Sequence, residues 1–125
     1  MDAQELQTRL KSFAYRIVNL SRVLPKELVS EIILKQILRS AFSVAANYRA
    51  ACRAQSKKAF VSKLSIVVEE IDETFFWLEV IADLKIINPN KLIELLKEAE
   101  ELTKILSSSR KTAQSKLINK SSINK

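Results

Sequence analysis

None of the 125 residues is glycine. Glycine is the residue that takes positive φ most readily, and tight hairpin turns and most sheet connections depend on it. The simplest fold for a chain without it is a set of long helices joined by few connections. Proline, which interrupts helices, occurs only as Pro25 and Pro89. Histidine is also absent, which removes the commonest general base and the commonest metal ligand.

Apolar spacing agrees with helices. Leu6, Leu10, Phe13, Ile17, Leu20 and Leu24 alternate steps of four and three, one face of a helix. Pro25 breaks the pattern and suits the first turn of a second helix, expected from about Lys26 to about Gln55. Its core row reads Leu34, Leu38, Ala41, Ala45, Tyr48 and Cys52. Ser56 is placed to cap a third helix from about Lys57 to about Asp83. Phe60, Leu64, Val67, Ile71, Phe75, Leu78 and Ala82 form its core face. Asn88 and Pro89 fit a cap and first turn, followed by a fourth helix with Leu92, Leu96, Ala99 and Leu106 inward. Residues 1–113 are therefore expected to form one all-α domain, an up-down-up-down antiparallel four-helix bundle. Beyond Ser107 the pattern weakens, and residues 114–125 are expected as a polar, frayed tail.

Other classes are excluded. No apolar run reaches the ~18 residues a membrane helix needs, and Asp2, Glu5 and Arg9 interrupt any N-terminal signal. Cys52 is alone, so no internal disulfide forms and a reducing cytoplasm is expected.

Charge is segregated along the chain. Ile32 to Val68 holds seven basic residues and no acid; Glu69 to Asp83 holds six acids and no base. From Leu102 onward there are six bases and no acid. An antiparallel bundle brings Arg49, Arg53, Lys57, Lys58, Arg110 and Lys111 to one pole and Glu27, Glu31, Glu79 and Asp83 to the other. The net charge of +7 is then concentrated rather than spread.

Two helices carry more apolar surface than one core stripe requires. At about 100° per residue, Lys35, Arg39, Arg49 and Arg53 share a narrow stripe of helix two with Phe42, Ala46 and Ala50, away from the core row. On helix three, Ile66 and Trp77 point roughly opposite to Leu64 and Ile71, with Phe76 and Val80 nearby. These back faces suggest self-association; the plainer reading of Trp77 is a lid on the core edge. The small residues Ser40, Ala41, Ser43, Ala45, Ala46, Ala50 and Ala51 let another helix approach closely, although helix propensity alone also explains alanine.

The stretch RSAFSVAANYRAACRAQSKKAFVSKLSIVVEEIDETFFWLEVI resembles the signature of a bacterial four-helix-bundle family. Its members were first noticed as reading frames within intervening sequences of large-subunit ribosomal RNA genes. The family is similar to the accessory variability protein (Avd) of diversity-generating retroelements. Its pattern appears here as Arg39, Ser40, the run Ser43 to Ala51, Arg53, Ala54, Ser56, Phe60, Lys63, Leu64, Ile66, Glu70, Glu73, Trp77 and Leu78, preceded by Leu24 and Pro25. Ala45 stands where the family usually has glycine, Ala50 where it has glutamate, and Ala59 where an acid would complete a capping box with Ser56. Losing those two acids makes the segment more basic. The resemblance implies a homopentameric ring with a central channel, a basic surface including Arg39, Arg49, Arg53 and Lys63, and no established catalytic activity. The Avd relatives bind a reverse transcriptase and nucleic acid.

The residues offer little to an enzyme. Glu69, Glu70, Asp72 and Glu73 read as a solvated acidic face without partner ligands, and Cys52, on the apolar row, as a buried small hydrophobe. No enzyme activity, cofactor or metal site is expected. What remains is nucleic-acid binding, RNA in the family's context, through Lys35, Arg39, Arg49, Arg53, Lys57, Lys58, Lys63, Arg110 and Lys111. Phe42, Ala46, Ile66, Phe76, Trp77 and Val80 are then the oligomer interface. The competing reading is a protein adaptor, such as a subunit docking on a reverse transcriptase, whose basic surface receives an acidic protein.

Overall fold

The computed structural model describes residues 1–123. The chain forms four helices, α1 (Ala3–Val23), α2 (Leu28–Cys52), α3 (Lys57–Asp83) and α4 (Ile93–Ile123), with a short 3-10 turn, Pro89–Lys91, before the last. Short connections make consecutive helices antiparallel, so the fold is the expected all-α bundle. The α2–α3 and α3–α4 pairs pack most extensively, and among neighbouring helices α1 and α4 meet least.

Local chemistry sets the ends. Asp2 caps α1 by accepting from the Glu5 amide at 2.8 Å, and Ser56 caps α3 by accepting from the Ala59 amide at 3.0 Å. Asn88 caps the 3-10 turn, not α4 itself, through the Asn90 amide. Helix α2 is shorter than expected at both ends. The Glu27 amide bonds back to the Pro25 carbonyl, which takes residues 25–27 into a turn, and Arg53, at φ −103° and ψ 8°, closes the far end. Helix α4 is longer than the apolar pattern implies. Its backbone continues through residues 114–123, while residues 124 and 125 of the expected tail lie outside the described residues.

The missing glycine leaves a mark where α3 ends. Lys85 sits at φ 54°, the one positive φ among the described residues. Its amide bonds to the Ala82 carbonyl at 3.1 Å and the next amide, of Ile86, to the Ile81 carbonyl at 3.2 Å. This is a Schellman closure, whose left-handed position glycine usually fills, and Ile86 packs back on the core as the motif requires. A side chain costs about 1 kcal/mol there. Lys85→Gly is therefore expected to raise stability by about 0.5–1 kcal/mol, read as a higher midpoint in urea denaturation.

The core runs the length of the bundle. Phe13 and Ile17 of α1, Ile37 and Val44 of α2, Leu64, Ile71 and Leu78 of α3, Leu92 just before α4, and Leu102 and Leu106 of α4 are all buried. The buried row of α2 is Ser30, Ile33, Ile37, Ser40, Ala41, Val44, Tyr48 and Ala51, rotated from the expected one. Leu34, Leu38 and Ala45 flank it, and Cys52 is exposed, not buried. Inside the α2–α3 contact, the Thr74 hydroxyl lies 2.8 Å from both Ser40 Oγ and the Glu70 carbonyl, and Ser40 Oγ donates to the Ile37 carbonyl at 3.1 Å. These local bonds let two hydroxyls sit in an apolar core.

Where α1 and α4 meet only sparingly, a charged clasp ties them. Arg9 donates through Nε and Nη2 to the two oxygens of Glu98, at 2.9 and 2.6 Å, and Nη2 lies 3.1 Å from Glu101. The fork with Arg9 holds the Glu98 carboxyl below the usual carboxylate range, against the opposing effect of burial. A depressed folded pKa contributes stability above the unfolded value, and that contribution is lost as pH falls through the folded value. Glu98→Gln is expected to cost about 1–3 kcal/mol at neutral pH. The gap from the unaltered chain should narrow on acidification below about pH 4, as thermal melts across a pH series would record.

Candidate functional site

Antiparallel packing brings the start of α1, the end of α2, the start of α3 and the last turns of α4 to one pole. Two clefts there prove the juxtaposition. One, about 440 Å³, lies between α3 and α4 and is lined by Lys57, Phe60, Ser108, Ser109, Thr112 and Lys116. The other is lined by Ala3 of α1, by Tyr48 and Cys52 of α2, and by Gln55, Ser56, Lys57 and Phe60. Lys57 and Phe60 form the shared wall.

Six of the nine expected cations belong to this pole: Arg49 and Arg53 on the last turn and cap of α2, Lys57 and Lys58 on the first turn of α3, and Arg110 and Lys111 on α4. Among the described residues none of the six enters an ion pair. The first turn of α3 contains no acid. Two lysines therefore sit at the positive end of a helix dipole, each unfavourable by some tenths of a kcal/mol unless an anion is near. The α1 start adds Asp2 and Glu5 to this pole, which the linear charge pattern does not anticipate, but the Asp2 carboxylate is engaged in capping its own helix.

The other three cations stand apart. Lys63 lies about 9 Å along α3 from Lys57, and Lys35 about 27 Å along α2 from Arg53. Arg39, also mid-helix, is already matched. Its guanidinium pairs with Glu70 at 3.2 Å and with Glu73, and both contacts raise its pKa. The acids read from sequence as a solvated face thus partly serve as this arginine's partners, because antiparallel pairing sets residue 39 opposite residues 70–73. The opposite pole is mixed rather than acidic. Arg16 and Lys91 line a cleft between the end of α1 and the start of α4, and Lys85 lies two residues beyond Asp83.

The expected interface residues divide likewise. Phe42, Ala46, Ile66 and Phe76 are exposed, with Phe76 at 51%. Trp77 and Val80 are half-buried against the core. The Trp77 indole N–H donates to Glu73 at 3.3 Å, and Phe76 stands edge-on to the indole at 4.9 Å between ring centroids. Trp77 thus covers the core margin, because α3 packs against both α2 and α4 and its buried arc is wide; Phe76 is the outward aromatic. Sequence reasoning missed Tyr15. It is exposed, 6.4 Å from Phe42 between ring centroids, and the pair borders a groove with Lys11, Ala45, Ala46 and Arg49. An aromatic off the apolar face of α1 is the signal that could have found it. Lys116 escaped because it falls in the stretch expected to fray.

Burial, and next the neighbouring Cys52, push the Tyr48 phenol up to about 12, so it stays neutral at the cleft wall. Among the described residues no three His, Cys, Asp or Glu side chains gather to hold a metal ion, and no helix is long and apolar enough to cross a membrane.

The comparisons agree with this fold. A protein of unknown function from the S23 ribosomal protein family of Bacteroides thetaiotaomicron VPI-5482, solved by crystallography, superposes with a TM-score of 0.80 at 36% identity. The match covers 89% of this chain and 99% of that one. No curated protein matches the sequence. The profile of the 23S rRNA-intervening sequence proteins matches residues 4–108, nearly the whole bundle, and the chain belongs to that family.

Proposed function

We propose that this protein is a non-enzymatic, cytoplasmic homo-oligomer that binds the phosphate backbone of RNA through the pole where α2 ends and α3 begins. The observation that carries this reading is the set of six cations from three helices at the pole where α3 begins, unmatched by carboxylates among the described residues, with Lys57 lining both clefts there. A phosphate placed there relieves the repulsion between Lys57, Lys58 and the helix dipole. RNA is preferred to DNA on the family's description alone.

Self-association rests on the exposed Phe42, Ile66 and Phe76, apolar groups that a second copy of the chain would cover. The family resemblance implies five subunits, and a ring repeats the cationic pole around its axis. That multiplies weak phosphate contacts into useful avidity.

The test is binding of a labelled structured RNA across a salt series, with oligomer mass read by light scattering. Affinity that falls steeply with salt supports backbone contact. Binding to a protein partner that is insensitive to salt, with no RNA retained, would favour the adaptor reading instead.

A further inference from the structure

A surface that only grips a duplex needs cations on a smooth face. Here the cations border an indentation. The α3–α4 cleft has Lys57 on one helix and Lys116 on the other, both exposed and without an ion pair among the described residues. Phe60, half-buried, lines both clefts at this pole. Ser108, Ser109, Thr112 and Ala113 complete the lining.

Among the described residues, the cleft hydroxyls, like those of Ser12, Ser62 and Ser107, are not tied to the backbone. Thr8, Ser65, Thr74 and Thr103 each bond to the carbonyl one turn earlier, the usual way a helical hydroxyl is satisfied. Ser108, Ser109 and Thr112 make no side-chain hydrogen bond among the described residues. Each hydroxyl can donate and accept. Such groups suit base edges and a ribose 2′-hydroxyl. The cleft's 440 Å³ falls within the ~300–1,000 Å³ of pockets that hold small organic groups.

We propose that the cleft between the start of α3 and the last turns of α4 receives one unstacked base of single-stranded RNA. The base rests on Phe60, the flanking phosphates meet Lys57 and Lys116, and Ser108, Ser109 and Thr112 bond to the base edge or ribose. The proposal rests on the RNA-binding reading above and narrows it. A paired helix keeps its bases stacked and cannot fill this cleft, whereas loops, bulges and ends can.

The experiment uses the full chain and three labelled probes: a single-stranded RNA oligomer, its duplex with the complement, and the same sugar-phosphate chain lacking bases. Fluorescence anisotropy is expected to show the single strand bound about tenfold or more tighter than the baseless chain, the scale of one stacked base. Phe60→Leu, which keeps an apolar side chain, should lose most of that margin without altering the salt slope. Lys116→Ala should lower the slope by about 0.7, the value of one phosphate on a single strand. Equal affinity for all three probes would overturn the pocket and leave the phosphate-binding pole standing. No binding of any probe at low salt would overturn both. The probe comparison needs only the unaltered protein, so its outcome is independent of how well Phe60→Leu folds.

Discussion

Arg49→Glu with Arg53→Glu should lower affinity for structured RNA by about a hundredfold or more near physiological salt while the helices persist. Both side chains are exposed at the end of α2, and neither is tied to a carboxylate among the described residues. Removing them leaves no buried partner stranded. The fold loses only the favourable placement of cations at a helix C-terminus, about 0.3–1 kcal/mol for each reversal. Binding loses much more. Each forfeited phosphate contact removes a released counterion, and each new carboxylate repels the backbone. Circular dichroism should therefore be nearly unchanged, while an anisotropy titration shows a shallower salt slope. Arg39→Gln provides the contrast. Its charge is already met by Glu70 and Glu73, so it should disturb the α2–α3 contact and leave RNA affinity almost untouched. A double reversal that binds as the unaltered chain does would show that this pole is not the contact.

The second large effect is on stability. Leu78→Ala is expected to cost about 3–5 kcal/mol. Leu78 is fully buried on α3, the helix that packs extensively against two neighbours. Truncation loses the transfer energy of three methyl-sized groups and leaves a cavity that rigid helices on both sides cannot close. For a chain whose total stability is on the order of ten kcal/mol, that is a third or more. Leu28→Ala, at a site 72% exposed, should change stability by no more than about 0.5 kcal/mol. Urea denaturation of both variants checks the contrast. A loss below about 1 kcal/mol at Leu78 would mean that the core is not packed there.

Much of this is legible in the chain, for identifiable reasons. Leu6, Leu10, Phe13, Ile17 and Leu20 make one regular apolar stripe of α1, so its spacing points to the correct core residues. The α3 limits follow from Ser56, whose hydroxyl has no better partner than the Ala59 amide. The α2 phase does not follow. Ile32, Ile33, Leu34, Ile37, Leu38, Ala41, Phe42, Val44, Ala45 and Ala46 offer apolar groups around most of the helix. No single stripe dominates, and packing against α1 and α3 selects Ile33, Ile37 and Val44 over Leu34 and Leu38. Cys52 turns outward with the same rotation.

The candidate site shows the same division. Its cations are written in blocks along the chain, so an antiparallel topology suffices to send six of them to one end. Which cations are free is a pairwise matter. Arg39 looks equivalent to Arg49 on the helix stripe, yet only Arg39 has carboxylates from α3 within reach.

By itself the sequence determined four helices, their antiparallel order and the accumulation of positive charge at one end. Each follows from local periodicity, from capping or from connection length, which act over a few residues. Only the tertiary structure decided which face of α2 is buried, which arginine is neutralised, and that Lys57, Phe60 and Lys116 share a cleft. Those outcomes depend on distances between residues far apart in the chain, and side-chain chemistry acts over a few ångströms.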